Sequence, residues 1–214
     1  MEHDHLADHA WLGQFLDGCS ELDRDVERLL SQAWAVHSRR QLIAMAFCKA
    51  ALEHAVSQRL LLSSGQHGTA LALIRLHFEA TIRAAWVLFG AKDHWIQEFV
   101  EPVPYGSLSE PTMGPPIPAM LDAIHGRAPD LATEGRRLNE TVKVMHSFVH
   151  GGAHLVVHAL RGYPIDKLID VLRNRNLLLL MISNVIVVAS EKLDLGGEVA
   201  RLLRSHKDIL PAKA

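Results

Sequence analysis

TALALIRLHFEATIRAAWVLFG, residues 69–90, decides the fold. It is apolar on nearly every side, and a helix of that kind needs neighbours all round it. It is therefore expected to be the central helix of a bundle. Between Leu71 and Phe89 the polar side chains are Arg75, His77, Glu79, Thr81 and Arg83. Charges in so apolar a helix must meet a partner or a water-filled cleft, because removing one partner of a buried pair costs roughly 3–5 kcal/mol.

Working outward, the chain reads as helices on both sides. A first short helix or arm over residues 1–19 is expected to stop at Gly18, with Ser20 and Asp23 resembling a capping box for the next helix. A helical pattern then runs from Glu21 to about Leu62, and it allows a break near His37–Arg40. SSGQHG, residues 63–68, is a turn. After the central helix and a further helical segment comes EPVPYGSLSEPTMGPPIP, residues 101–118, holding six of the nine prolines. Proline at this density excludes regular helix, and so long a loop inside a domain suggests a lid, a binding loop or a linker. Ile117–Gly126 reads as a short helix, and Pro129 and Gly135 frame a turn region. A histidine-rich helix is expected from about Leu138 to Leu160. RGYP, residues 161–164, is a turn, a long helix covers Ile165–Leu193, and Glu198–His206 closes the pattern.

No alternating strand pattern appears. The expected architecture is all-α: one helical domain over residues 1–214, a bundle of about six to eight helices with a long Pro-rich loop. The composition agrees. Of the 214 residues, 49% are hydrophobic but only 6% are aromatic, a balance that favours helix over sheet. A net charge of -2 gives no global positive field to hold nucleic acid, so any contact with it must be local. Cys19 and Cys48 suggest no disulfide framework and read as buried thiols in a reducing compartment. The acidic, His-rich N-terminus lacks the pattern of a signal peptide. The longest apolar run, residues 176–190, is short for a membrane span and is interrupted by Ser183 and Asn184. It reads as a core helix, and the expectation is a cytoplasmic protein without a membrane partner.

Two constellations could carry chemistry. The first is LNETVKVMHSFVHGGAHLVVHAL, residues 138–160, which places His146, His150, His154 and His158 at a spacing of four. On one helix they would line one face beside the apolar stripe of Val142, Met145, Val149, Ala153, Val156 and Leu160. Histidine titrates near neutral pH and is a common metal ligand. An adjacent pair could share one ion, but four in line would span about 18 Å. Gly151–Gly152 is an expected kink. The second constellation is Arg75, Glu79 and Arg83, again spaced by four. Arg75 or Arg83 could bind an anion while Glu79 fixes its geometry. If the two face each other across adjacent helices, one cleft holds arginines, a carboxylate and imidazoles. That set suits metal-free phosphodiester chemistry, in which histidine moves the proton and arginine stabilises developing charge. It suits passive binding of a nucleotide or small acid equally well. The candidates are His146, His150 and Glu79 for catalysis, and Arg75, Arg83 and His154 for ligand binding. No metal ligand set and no cofactor is assigned.

Arg75-x3-Glu79 on a central helix with HSFVHGG (residues 146–152) on a later one resembles uncharacterised bacterial helical proteins, which look related to the HEPN superfamily of helical ribonucleases, toxins and defence proteins. The resemblance covers about residues 40–190, in helix order more than in sequence. It implies a homodimer acting in bacterial stress or defence through metal-independent cleavage or modification of RNA. Such nucleases carry an Arg, a polar residue and then four to six residues reaching a His. The usable spacing here is Arg201-x4-His206, with Leu202 where the polar residue is expected. Two other readings stand beside this one. The first is a non-enzymatic bundle binding a small ligand or a protein. The second is a metal-binding bundle in which Glu79 or another carboxylate joins His146 and His150.

Overall fold

The computed structural model describes residues 2–99 and 113–212. In chain order its α-helices are α1 (Glu2–Leu30), α2 (Arg39–Ser63), α3 (His67–Phe89), α4 (Asp93–Glu98), α5 (Ile117–His125), α6 (Pro129–Val144), α7 (His146–Val149), α8 (Ala153–Arg161), α9 (Ile165–Ala189) and α10 (Gly196–Ser205). Short 3₁₀ turns cover Leu193–Leu195 and Lys207–Ile209. The fold is all-α, with no strand among the described residues and eight of these ten helices seven residues or longer. Residues 101–112 of the expected Pro-rich loop lie outside the described residues.

α3 is central, as its composition requires. It packs along α2 and α9 and also meets α5, α6 and α7. Buried apolar residues from Leu12 to Leu210 form one cluster around it. α9 is the second core helix. Among the described residues it is the one helix long and apolar enough to cross a membrane, being longer than the apolar run at residues 176–190, and most of that apolar window is buried in the bundle. Cys19 and Cys48 are both free and buried.

Four boundaries differ from expectation, each for a tertiary reason. α1 does not stop at Gly18 but continues to Leu30. A Cβ at Gly18 would sit 3.2 Å from Ile209 Cγ2, so the glycine serves close approach of the C-terminal segment and not a helix end. The expected long helix from Glu21 is divided at residues 31–38, and α2 starts where Ser38 accepts a hydrogen bond from the Gln41 N–H. The region framed by Pro129 and Gly135 is helix and not turn. Pro129 occupies the first helical position, where its missing N–H costs nothing, and Gly135 lies inside α6 where a Cβ would fall 2.5 Å from Leu121 Cδ2. Finally, α9 ends at Ala189, before Glu191 adopts a φ of 58°.

The interior also carries a polar network. Arg175, in the middle of α9, is fully buried. Its Nε donates to the Ala55 carbonyl at 2.9 Å and its Nη1 to Asn176 Oδ1 at 2.9 Å. Its Nη2 lies 2.5 Å from Asp23 Oδ1 on α1, close enough for an ion pair though not aligned as a hydrogen bond. Asp23 Oδ2 accepts from Arg59 Nε on α2 at 2.7 Å. Asn176 in turn donates to the Ile209 carbonyl. One carboxylate thus joins three helices. Nearby, the fully buried His77 shares a 3.2 Å hydrogen bond with Gln58 Oε1, in which its Nδ1 must be the donor. Burial holds its pKa well below the ordinary imidazole value, and Arg175 and His54 push the same way.

This interior sets two stability measurements. Asp23→Ala leaves the buried Arg175 without its counter-charge and should lower unfolding free energy by about 3–5 kcal/mol in a urea titration. Adding Arg175→Met should recover most of that loss, and a double variant as unstable as the single one would contradict this account. For pH, the unfolded chain protonates His77 near its ordinary value of about 6.5 while the folded chain resists. This contribution is intact above that pH and is lost as pH falls below it. His77→Gln should flatten the decline in stability between neutral and acidic pH.

Candidate functional site

The histidine ladder is not one helix. α6 gives way at Met145 to the single turn α7, and Gly151 and Gly152 then turn the chain into α8. Gly151 has a φ of 64°, which favours glycine. A Cβ at Gly152 would lie 2.5 Å from Ser147 Oγ. That space is used: the Gly152 N–H donates to the Ser147 carbonyl at 2.6 Å, and Ser147 Oγ accepts from the His154 N–H at 3.1 Å. The corner separates the four histidines into two pairs that do different things.

The first pair meets α3. The rings of His146 and His150 lie 4.2 Å apart between centroids. Arg75 Nη1 donates to His146 Nδ1 at 2.7 Å. Arg75 Nε is bound to Glu79 Oε1 at 2.9 Å, and Arg83 Nη2 stands 3.7 Å from Glu79 Oε2. Arg83 Nη1 donates to the Met113 carbonyl. The two expected constellations therefore face each other: Arg75, Glu79, Arg83, His146 and His150 share one partly exposed surface. The guanidinium and carboxylate groups are a fifth to a third exposed, so they are solvated enough to need no deeper burial partner.

The electrostatics are specific. A guanidinium can only donate, so His146 Nδ1 must accept and its proton must sit on Nε2. The His146 pKa is lowered by desolvation, by His150 and by Arg75, with Glu79 opposing. His146 is thus held as a neutral ring presenting an N–H. Among the described residues Arg75 makes one hydrogen bond, to His146, and is ion-paired with Glu79, while a guanidinium has five N–H donors. One carboxylate between two arginines gives the cluster a net charge of +1. Such a charge suits an anionic group.

The second pair belongs elsewhere. His154 and His158 stack on Phe148 at 6.5 and 5.9 Å, and His158 stacks on Tyr163 at 5.3 Å. His154, expected with Arg75 and Arg83 in ligand binding, lines a cleft of about 510 Å³ between α3, α6–α8 and α9, whose lining does not include Arg75 or Arg83. Among the described residues no group of three or more His, Cys, Asp or Glu side chains converges as a metal-ligand set. Arg201 and His206 do not form a pair: Arg201 binds Glu198 at 2.7 Å, and His206 binds Asp25 on α1 at 3.0 Å. Asn174, on the wall of the second cleft, is not among the residues expected from the sequence. Its signal is its place in the polar run Arg173–Asn176, which directly precedes the apolar stretch from Leu177.

Residues 48–212, well over half of the chain, match the Family of unknown function (DUF6988), and the chain belongs to that family. No curated protein and no solved structure matches it.

The tautomer assignment has a direct readout. In an NMR titration of the imidazoles, His146 should ionise below the ordinary value of about 6.5. Arg75→Ala should raise its midpoint, because it removes a cation and frees Nδ1. An unchanged midpoint would mean that Arg75 does not hold the ring in solution.

Proposed function

We propose that this DUF6988 protein recognises the phosphate of RNA or of a nucleotide at the Arg75–Glu79–Arg83–His146–His150 surface. The observation that carries the reading is the Arg75 guanidinium, held at once by its ion pair with Glu79 and its hydrogen bond to His146, with further N–H groups left to donate among the described residues. Pre-organisation of this kind lowers the ordering cost of binding an oxyanion. His146 adds an Nε2–H, and Arg83 adds charge. The helix order that resembles the HEPN superfamily supports RNA as the source of the phosphate, and with it a role in bacterial stress or defence. A cytoplasmic location and a homodimer accompany this reading. For the dimer, Val156, Val157 and Leu160 on α8 are exposed apolar side chains.

A second reading, metal-independent RNA cleavage, is favoured by the close pairing of two imidazoles beside a guanidinium. In that reaction a ribose 2′-oxygen bonds to phosphorus as the bond to the 5′-oxygen breaks. Movement of Arg75 onto the phosphate would free His146 Nδ1 to take the 2′-hydroxyl proton, and protonated His150 would give one to the departing 5′-oxygen. Cyclic phosphate and 5′-hydroxyl ends would result.

The test is binding of a short single-stranded RNA, followed by incubation in chelator. Wild type should bind with an affinity that falls as salt rises. Arg75→Ala should weaken binding about tenfold or more, as expected when a charge-assisted contact is lost. Equal affinity in the variant would end the proposal. Cleavage in chelator that His150→Ala abolishes would favour the enzymatic reading, and binding without cleavage would leave recognition alone.

A further inference from the structure

The second cleft has the construction of a ligand pocket. One wall is a row of planar rings: Phe148, with His154 and His158 stacked on it, and Tyr163 stacked on His158 at interplanar angles of about 20°. The opposite wall is α9, where Asn174 lines the cleft. Asn174 is only 8% exposed. Its amide makes no hydrogen bond to a described residue and is left to the water of the cleft. His158 Nδ1 lies 3.2 Å from the Gly162 carbonyl, so Nδ1 carries the proton and Nε2 keeps a free lone pair. The cleft therefore offers an aromatic wall, an amide with both donor and acceptor, and an imidazole acceptor.

From this geometry we infer that the cleft binds a nucleobase. A planar nitrogen heterocycle packs against an aromatic wall, and its edge presents the adjacent donor and acceptor that an asparagine amide pairs with. The volume of about 510 Å³ accommodates a nucleoside. The position agrees too. Leu71 lines the cleft, and Arg75 lies one helical turn, about 6 Å, further along α3. A ribose spans that distance between its base and its phosphate. The inference deepens the phosphate reading, on which it rests for the second half of the ligand, but the pocket itself stands on its own residues.

Ribonucleosides separate the two. Adenosine, guanosine, cytidine and uridine, titrated into the full chain by calorimetry, should show binding of at least one. Asn174→Leu should weaken that binding tenfold or more while unfolding no earlier than wild type, since it removes an amide that bonds to no described residue. His158→Ala should weaken it as well. Absence of binding by all four at millimolar concentration, or unchanged binding by Asn174→Leu, overturns the inference. The phosphate reading is tested by a different arm. The matching 5′-monophosphate should bind more tightly than the nucleoside, and Arg75→Ala should erase only that difference. A bound nucleoside with no gain from phosphate supports the pocket and fails the phosphate site. A single-stranded RNA that binds more tightly than the monophosphate, and still depends on Asn174, identifies the base as part of a chain. A monophosphate that binds at least as tightly identifies a free nucleotide.

Discussion

The bundle depends on the charge pairing between Asp23 and Arg175. Arg175 is the largest fully buried side chain among the described residues, and it sits in the middle of the long core helix α9. A guanidinium there is tolerable only with a nearby carboxylate and carbonyl acceptors around its remaining N–H groups. Asp23 brings α1 against α9, Arg59 draws α2 onto the same carboxylate, and the Ala55 carbonyl fixes the depth of α2. Asn176 then carries the connection to the C-terminal segment through the Ile209 carbonyl. Apolar packing alone would allow these helices to slide. The polar contacts select one register for α1, α2 and α9.

This rigid half supports a lighter one. α8 has no buried residue, and α7 is a single turn. Elements with so little buried surface belong to the low-stability end of a fold, where binding segments are commonly drawn from. Here the light elements carry the histidines, and the rigid helices carry their counterparts. Arg75 and Glu79 stand on α3, and Asn174 stands on α9. Each cleft therefore pairs adjustable imidazoles with fixed polar groups. Gly151 and Gly152 make the division between them, since the corner at Ser147 leaves no room for a Cβ at Gly152.

Sequence reasoning worked where one local rule was enough. The apolar character of residues 69–90 required a central helix, and the spacing of Arg75, Glu79 and Arg83 required a common face. It failed where a distant contact decided. Gly18 and Gly135 look like helix ends, but both are close-packing positions inside helices, facing Ile209 and Leu121. Pro129 looks like a breaker but starts a helix. Arg175 was readable by the argument applied to Arg75, that a charge in an apolar helix needs a partner. The partner, Asp23, lies far away in the chain.

The sequence by itself determined the all-helical class, the central helix, and which side chains could carry charge or protons, because periodicity and composition act over a turn or two. The tertiary structure alone decided that four evenly spaced histidines fall into two separate pairs. It bent the ladder at a glycine corner, set Arg75 against His146, and left Asn174 facing a cleft without a partner. Those outcomes depend on which helices meet, and that was settled by a buried charge whose counter-ion lies on another helix.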